Sequence, residues 1–218
     1  MRFTRLGQRA AAVATAALVA SALTAVPATA SGKSNSLGTR SLAAVLTADK
    51  SGFDRNGNDY DILTAAVLAV LKAKPASPVG VLTDGTTALT AFLPNDRAFE
   101  TLVADIQHTR RLPGESQAFT AVAGLGIDTV ETVLLYHVVP GATIDRKAAL
   151  RADGASLTTA AGSSITVDVY GWWCFRGVRL IDADRNDRDP RVIRFDINKG
   201  NRQIAHGIDR VLRPVDLP

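Results

Sequence analysis

Apolar residues recur along the chain with two different periods, and the change falls past its middle. Ile62, Leu63, Ala66, Val67, Val70 and Leu71 follow at spacings of one, three and four, which lays an apolar stripe along a helix ending before Lys74-Pro75. A short helix with Ser41 as its cap is expected over 41–48, and another over 115–123. The stronger pattern over 128–138 places Ile127, Val130, Val133, Leu134, His137 and Val138 on one face. Between these helices, 88–93 is strand-like; Pro94 breaks it, Asn95 can cap the next helix, and Asp96 complements its dipole. After Pro140-Gly141 the period becomes two, with strands predicted over 156–160, 164–170, 174–182, 191–197 and 203–212. Helices in the first half and strands in the second indicate an α+β domain, with helices packed against mainly antiparallel sheet.

The first thirty residues follow neither period. Arg2, Arg5 and Arg9 precede an uncharged run from Ala10 to Val26, Pro27 breaks it, and Ala28-Thr29-Ala30 supplies the small residues of a cleavage site. Residues 1–30 are thus expected to be a signal peptide cut after Ala30, since the run is too short and too rich in Ala for a bilayer span. The expected mature protein is secreted and has no transmembrane segment. Residues 31–40 are small and polar and predict a flexible lead-in, 41–214 the domain, and 215–218 a short tail.

Composition changes this picture in one respect. Of 218 residues 46% are hydrophobic and 21% charged, which excludes collagen, coiled coil and a wholly disordered chain. The net charge of +4 suggests an anionic partner, yet loss of the three leader arginines leaves 22 basic against 21 acidic residues. Without a basic run, nucleic acid is not an expected partner. The single Cys174 forms no internal bridge, and with three histidines it offers no usual zinc spacing.

Candidate chemistry lies in two acidic loops and an aromatic cluster. Asp54, Asn56, Asn58, Asp59 and Asp61 repeat the offsets of Asp182, Asp184, Asn186, Asp187 and Asp189. Oxygen ligands so spaced suit calcium, although the glycine and terminal Glu of a full calcium loop are replaced; solvated turns account for the same residues. Calcium is the one cofactor these loops suggest. Trp172 and Trp173 sit beside Tyr170 and Phe175, either split between core and solvent on a strand or together at a loop tip, where they could contact a partner. His137 and His206 share periodicity with apolar neighbours, which predicts buried, hydrogen-bonded rings. No G-x-S-x-G turn supplies a nucleophile, so a hydrolase has no recognised motif.

Three segments together resemble the fasciclin domain family. Thr90-Ala91-Phe92-Leu93-Pro94-Asn95-Asp96-Arg97-Ala98-Phe99 is similar to its first signature, Leu134 to Gly141 to its central Tyr-His segment, and Asn201 to Pro214, with His206 and Asp209, to its closing signature. The resemblance covers about 41–214. It implies a single fasciclin-like domain, a β-sandwich wedge flanked by helices, used extracellularly for adhesion to a protein or polysaccharide rather than for catalysis. It also implies that Tyr136 and His137 take part in adhesion. The stretch before Thr90, the Trp172-Trp173 segment and residues 182–190 depart from the family pattern, and no integrin motif is matched.

Overall fold

The computed structural model describes residues 36–172 and 175–215; the expected leader and residues 31–35, together with Trp173, Cys174 and 216–218, lie outside them. Helix α1 (Leu42–Leu46) starts where the Ser41 hydroxyl accepts the N–H of Ala44. Helix α2 (Asp61–Ala73) carries the expected stripe, with Ile62, Leu63, Ala66, Val67 and Val70 buried. The Pro-rich stretch read as loop contains a 3₁₀ helix, Pro78–Thr83, because the Ser77 side chain caps it and Pro78 preforms its first turn. Strand β1 (Leu89–Pro94) runs into α3 (Asp96–Ile106), whose N-cap Asn95 accepts the Ala98 N–H at 3.0 Å. Helices α4 (Glu115–Gly124) and α5 (Ile127–Tyr136) follow.

One expected boundary is corrected here. Helix α5 stops at Tyr136 with His137 as its C-cap, and Val138 opens strand β2 (Val138–Pro140) instead of closing the helix. Apolar periodicity could not separate the two, since Val138 is buried in either state. The remaining elements are α6 (Arg146–Ala149), β3 (Ser156–Thr158), β4 (Ser164–Tyr170), β5 (Gly177–Ile181), β6 (Val192–Ile197) and β7 (Gln203–Ile208). The last strand ends four residues before its expected limit, and β5 starts three residues late.

The strands form a four-stranded sheet in the order β2-β1-β7-β6 and a three-stranded sheet β3-β4-β5. The β1–β7 ladder is parallel and the others antiparallel. Hence the three signature segments are neighbours in space, forming β2, β1 and β7 side by side, with Thr90 opposite both Val139 and Ile204. β1 and β7 are buried along their whole length. Leu89, Ala91, Leu93 and Ala205 join the cluster made with α1 to α5, while Phe92 and Ile208 join a second cluster with Ile165, Val167, Val178 and Leu180 of the other sheet. A sheet covered on both faces loses the apolar–polar alternation of a half-exposed one. The α+β class predicted from segregated elements is the class observed.

Buried polar side chains tie distant parts together. Gln203, fully buried, accepts the Leu42 N–H at 2.7 Å and donates to the carbonyls of Val81 and Asp84, so β7 caps α1 from 161 residues away. Residues 36–40, part of the expected flexible lead-in, are docked instead. Gly38 bridges Asn201 and exchanges backbone hydrogen bonds with Gly200 and Arg202, and Arg40 N–H donates to Asn201 Oδ1. Apart from the Asn201 side chain these are main-chain contacts, to which side-chain patterning is blind. Gly85 holds the other side of this segment: a Cβ there would fall 1.7 Å from the Thr39 carbonyl oxygen. Gly85→Ala is expected to cost about 1–3 kcal/mol through overpacking, read as a lower urea midpoint; an unchanged midpoint would mean that residues 36–40 move aside freely.

Candidate functional site

The two signature histidines are clamps of opposite tautomer. His137 donates from Nδ1 to the Val133 carbonyl at 2.7 Å, which leaves Nε2 to accept the Leu212 N–H at 2.9 Å. His206 does the reverse: Nε2 donates to the Ile144 carbonyl at 2.8 Å and Nδ1 accepts the Asp196 N–H. Its ring lies 5.4 Å from that of Phe195 and 6.0 Å from that of Phe92. Burial lowers the pKa of both, that of His137 to about 4. Both nitrogens of each ring are thus engaged, and neither ring has a free base to offer a nucleophile. Tyr136 is fully buried and its hydroxyl donates to the Ser164 carbonyl. Direct contact between a partner and Tyr136 or His137 would require this segment to open.

The other signature residues also have structural partners. The Thr90 hydroxyl donates to the Ala142 carbonyl and accepts the Ile144 N–H, both at 2.8 Å. Phe92 and Phe99 are buried in the two separate clusters. Asp209 Oδ1 accepts the Arg191 N–H at 2.7 Å, which ties the end of β7 to the residue before β6. Pro94 ends β1, and Pro214 follows the buried Arg213.

The 182–189 loop is arranged around arginines that the periodicity did not single out. Asp184, buried, meets Arg213 at 3.2 Å; Asp187 meets Arg213 at 3.1 Å and Arg210 at 3.0 Å; Asp105 of α3 joins both arginines at 3.2 Å. Asp182 accepts the backbone N–H groups of Asp184 and Arg213, and burial pushes its pKa up to about 6. Asn186 donates its N–H to Asp184 Oδ1, and Asp189 lies 3.9 Å from Arg179. The closing signature thereby anchors the acidic loop to α3.

The 54–61 loop is different. Carboxylate oxygens of Asp54, Asp59 and Asp61 all lie within 4.8 Å of one another, and so do those of Asp59, Asp96 and Glu115. Asp61, Asp96 and Glu115 are the first residues of α2, α3 and α4, so three helix N-termini meet over this loop. Positive helix ends favour carboxylates there. Asp96 also caps α2 from outside it, accepting the N–H groups of Asp61 at 3.0 Å and Ile62 at 2.8 Å, where the N-cap Tyr60 provides no side-chain bond. Negative charge is nevertheless in excess. Burial and the adjacent Asp59 carboxyl push Asp96 up to about 8, and burial followed by acidic neighbours raises Asp61; burial also raises Glu115. Asn56 and Asn58 serve the loop itself: Asn56 donates to Asp59 Oδ2 and accepts the Asn58 N–H. Sequence reading joined Asp54, Asp59 and Asp61 but not Asp96 and Glu115, which come from helices 35 and more residues further on.

A third feature is the turn between β4 and β5. Trp172 is 76% and Phe175 84% exposed, with Tyr170 partly exposed beside them under Arg191, whose guanidinium lies 5.6 Å from the ring centre. Gly171 has φ +89° and a Cβ on it would strike the Phe175 carbonyl at 2.1 Å, so the turn closes tightly only on glycine. The loop-tip alternative for Trp172 is the one observed; Trp173 lies outside the described residues.

No curated protein matches the chain. Among solved structures, a FAS1 domain pair from the insect cell adhesion molecule fasciclin I is similar, with 15% identity and a TM-score of 0.43, over 70% of this chain and 43% of that one. A family model for the fasciclin domain matches residues 63–214, from α2 through the closing strand to Pro214. That stretch contains the three adjacent strands β2, β1 and β7 with both histidine clamps, and by this match the chain belongs to the fasciclin domain family.

Proposed function

We propose that this protein is an exported, non-catalytic adhesion module that binds an extracellular protein or polysaccharide through the β4–β5 turn. The observation that carries the reading is the pair of large apolar side chains, Trp172 and Phe175, each more than three-quarters exposed between β4 and β5. Aromatic residues held at low entropic cost are common binding anchors, and exposing them to water without a partner is unfavourable. Family membership supports adhesion as the class of function. The basic opening and apolar run of residues 1–30 support export with cleavage after Ala30. Among the described residues no single helix is long and apolar enough to cross a membrane.

The test uses the full secreted chain as bait against material from its native extracellular surroundings. Capture is expected to fall at least tenfold for Trp172→Ala combined with Phe175→Ala, while the melting temperature stays within about 1 °C, since neither side chain is in either core cluster. Undiminished capture by the folded double variant would overturn the proposed surface.

A further inference from the structure

We propose that the meeting point of α2, α3 and α4 is a calcium site, with Asp54, Asp59, Asp61, Asp96 and Glu115 as the carboxylates that hold the ion directly or through water. The oxygens of Asp54, Asp59 and Asp61 lie within 4.8 Å of one another, and separately so do those of Asp59, Asp96 and Glu115; at a calcium–oxygen bond length of ~2.4 Å, either trio can touch one ion directly, and the other two carboxylates then reach it through water. Asp59 belongs to both groups of three and would bridge them.

Acidic clusters are common without a metal, and here a second observation points to a ligand. Glu115 is only 2% exposed, its Oε2 accepts the Asp54 N–H, and its Oε1 has no hydrogen-bond partner among the described residues. Asp59 Oδ1 is likewise buried and unpartnered. A carboxylate oxygen left bare in the interior is costly, and a hard cation satisfies it while neutralising the like charges around it. Among the described residues no Lys or Arg pairs with these carboxylates. Arg97, beside Asp96 in sequence, pairs with Glu100 at 3.1 Å, and Arg55 is exposed. A cleft lined by Asp49, Asn56, Asn58, Asp59, Tyr60 and Arg194 borders the cluster and gives an ion a way in.

The choice of calcium over magnesium follows from the ligand set. Three of the five carboxylates, those of Asp61, Asp96 and Glu115, stand at helix starts, and Asp54 and Asp59 lie in the loop between α1 and α2. Such a mixture accommodates irregular coordination at longer bonds more readily than a near-ideal octahedron. The 182–189 loop differs because Asp184 and Asp187 already face arginines. One site per chain is therefore expected.

The experiment takes the full chain stripped with EDTA and dialysed, then adds calcium alone or magnesium alone. Calorimetric titration should return one calcium per chain, with a Kd of about 10⁻⁴–10⁻³ M, and 10 mM calcium should raise Tm by about 5 °C, with a smaller effect of magnesium. Glu115→Gln keeps the shape of the side chain and removes the buried charge, so the calcium-free variant should melt at or above the wild-type temperature and lose the calcium response. Asp54→Asn, in an exposed loop, should fold normally and bind calcium at least tenfold more weakly. No calcium-dependent Tm shift in the wild type would overturn the proposal, as would an undiminished response in both variants or a stronger response to magnesium. These readouts are independent of partner capture by Trp172 and Phe175, so either reading can fail alone.

Discussion

Arg213→Met should destabilise the domain by about 3–5 kcal/mol, the range expected when one member of a buried ion pair is removed and the other stays behind. Asp184 has 1% of its side chain exposed and Arg213 8%, so water cannot take over the role of the lost guanidinium. Asp187 suffers less because Arg210 remains 3.0 Å away, and Asp105, at 40% exposure, is largely solvated already. The cost therefore falls chiefly on Asp184. Replacing that residue too, as Arg213→Met with Asp184→Leu, removes the stranded charge and should recover most of the loss, since buried pairs exchanged for apolar residues of similar volume are often near neutral. Urea denaturation of wild type, both single variants and the double variant checks this. A single-variant loss below about 1 kcal/mol would mean that the loop opens and lets water reach Asp184.

Much of this arrangement was legible in the sequence, and what was missed has a common cause. The stripe of α2, the strand that ends at Pro94 and the buried character of both histidines follow from which side chains repeat with which period, and the Asn95 cap from its residue type at a helix start. Period reports burial on one element at a time. It does not report what lies across from a residue, so the capping of α2 by Asp96 and of α1 by Gln203 left no trace in it. The same limit hid the arginines of the closing segment as partners of the second acidic loop, and Glu115 as a neighbour of the first. At Val138 the pattern was compatible with both helix and strand, and the pairing of β2 with β1 decided between them. Phe175 was seen only as a member of an aromatic cluster; its exposure depends on the tight turn at Gly171.

Acid should weaken the fold through His137, and the sign of the effect follows from its hydrogen bonds. Nδ1 already donates to Val133 and Nε2 accepts from Leu212, so a second proton would have to enter at Nε2 and face an N–H group. Burial holds the folded-state pKa at about 4, against about 6.5 in an unfolded chain. Between these values the unfolded state binds the extra proton and the folded state does not, so stability from this residue is fully present above about pH 6.5 and is lost as pH falls towards 4. Two and a half units correspond to about 3 kcal/mol. His206, lowered by burial in the same direction, adds to the trend, whereas the raised carboxyls of Asp61, Asp96, Glu115, Asp182 and Asp189 oppose it. Comparing wild type with His137→Gln isolates the histidine, because the carboxyl contributions are common to both proteins. The variant cannot titrate at this position. It should be less stable than wild type at pH 7.5, and the gap should shrink by about 3 kcal/mol as pH is lowered to 4. A gap that stays constant across that range would show that His137 takes up its proton as easily in the folded protein as in the unfolded chain, and the clamp between α5 and Leu212 would have to be abandoned.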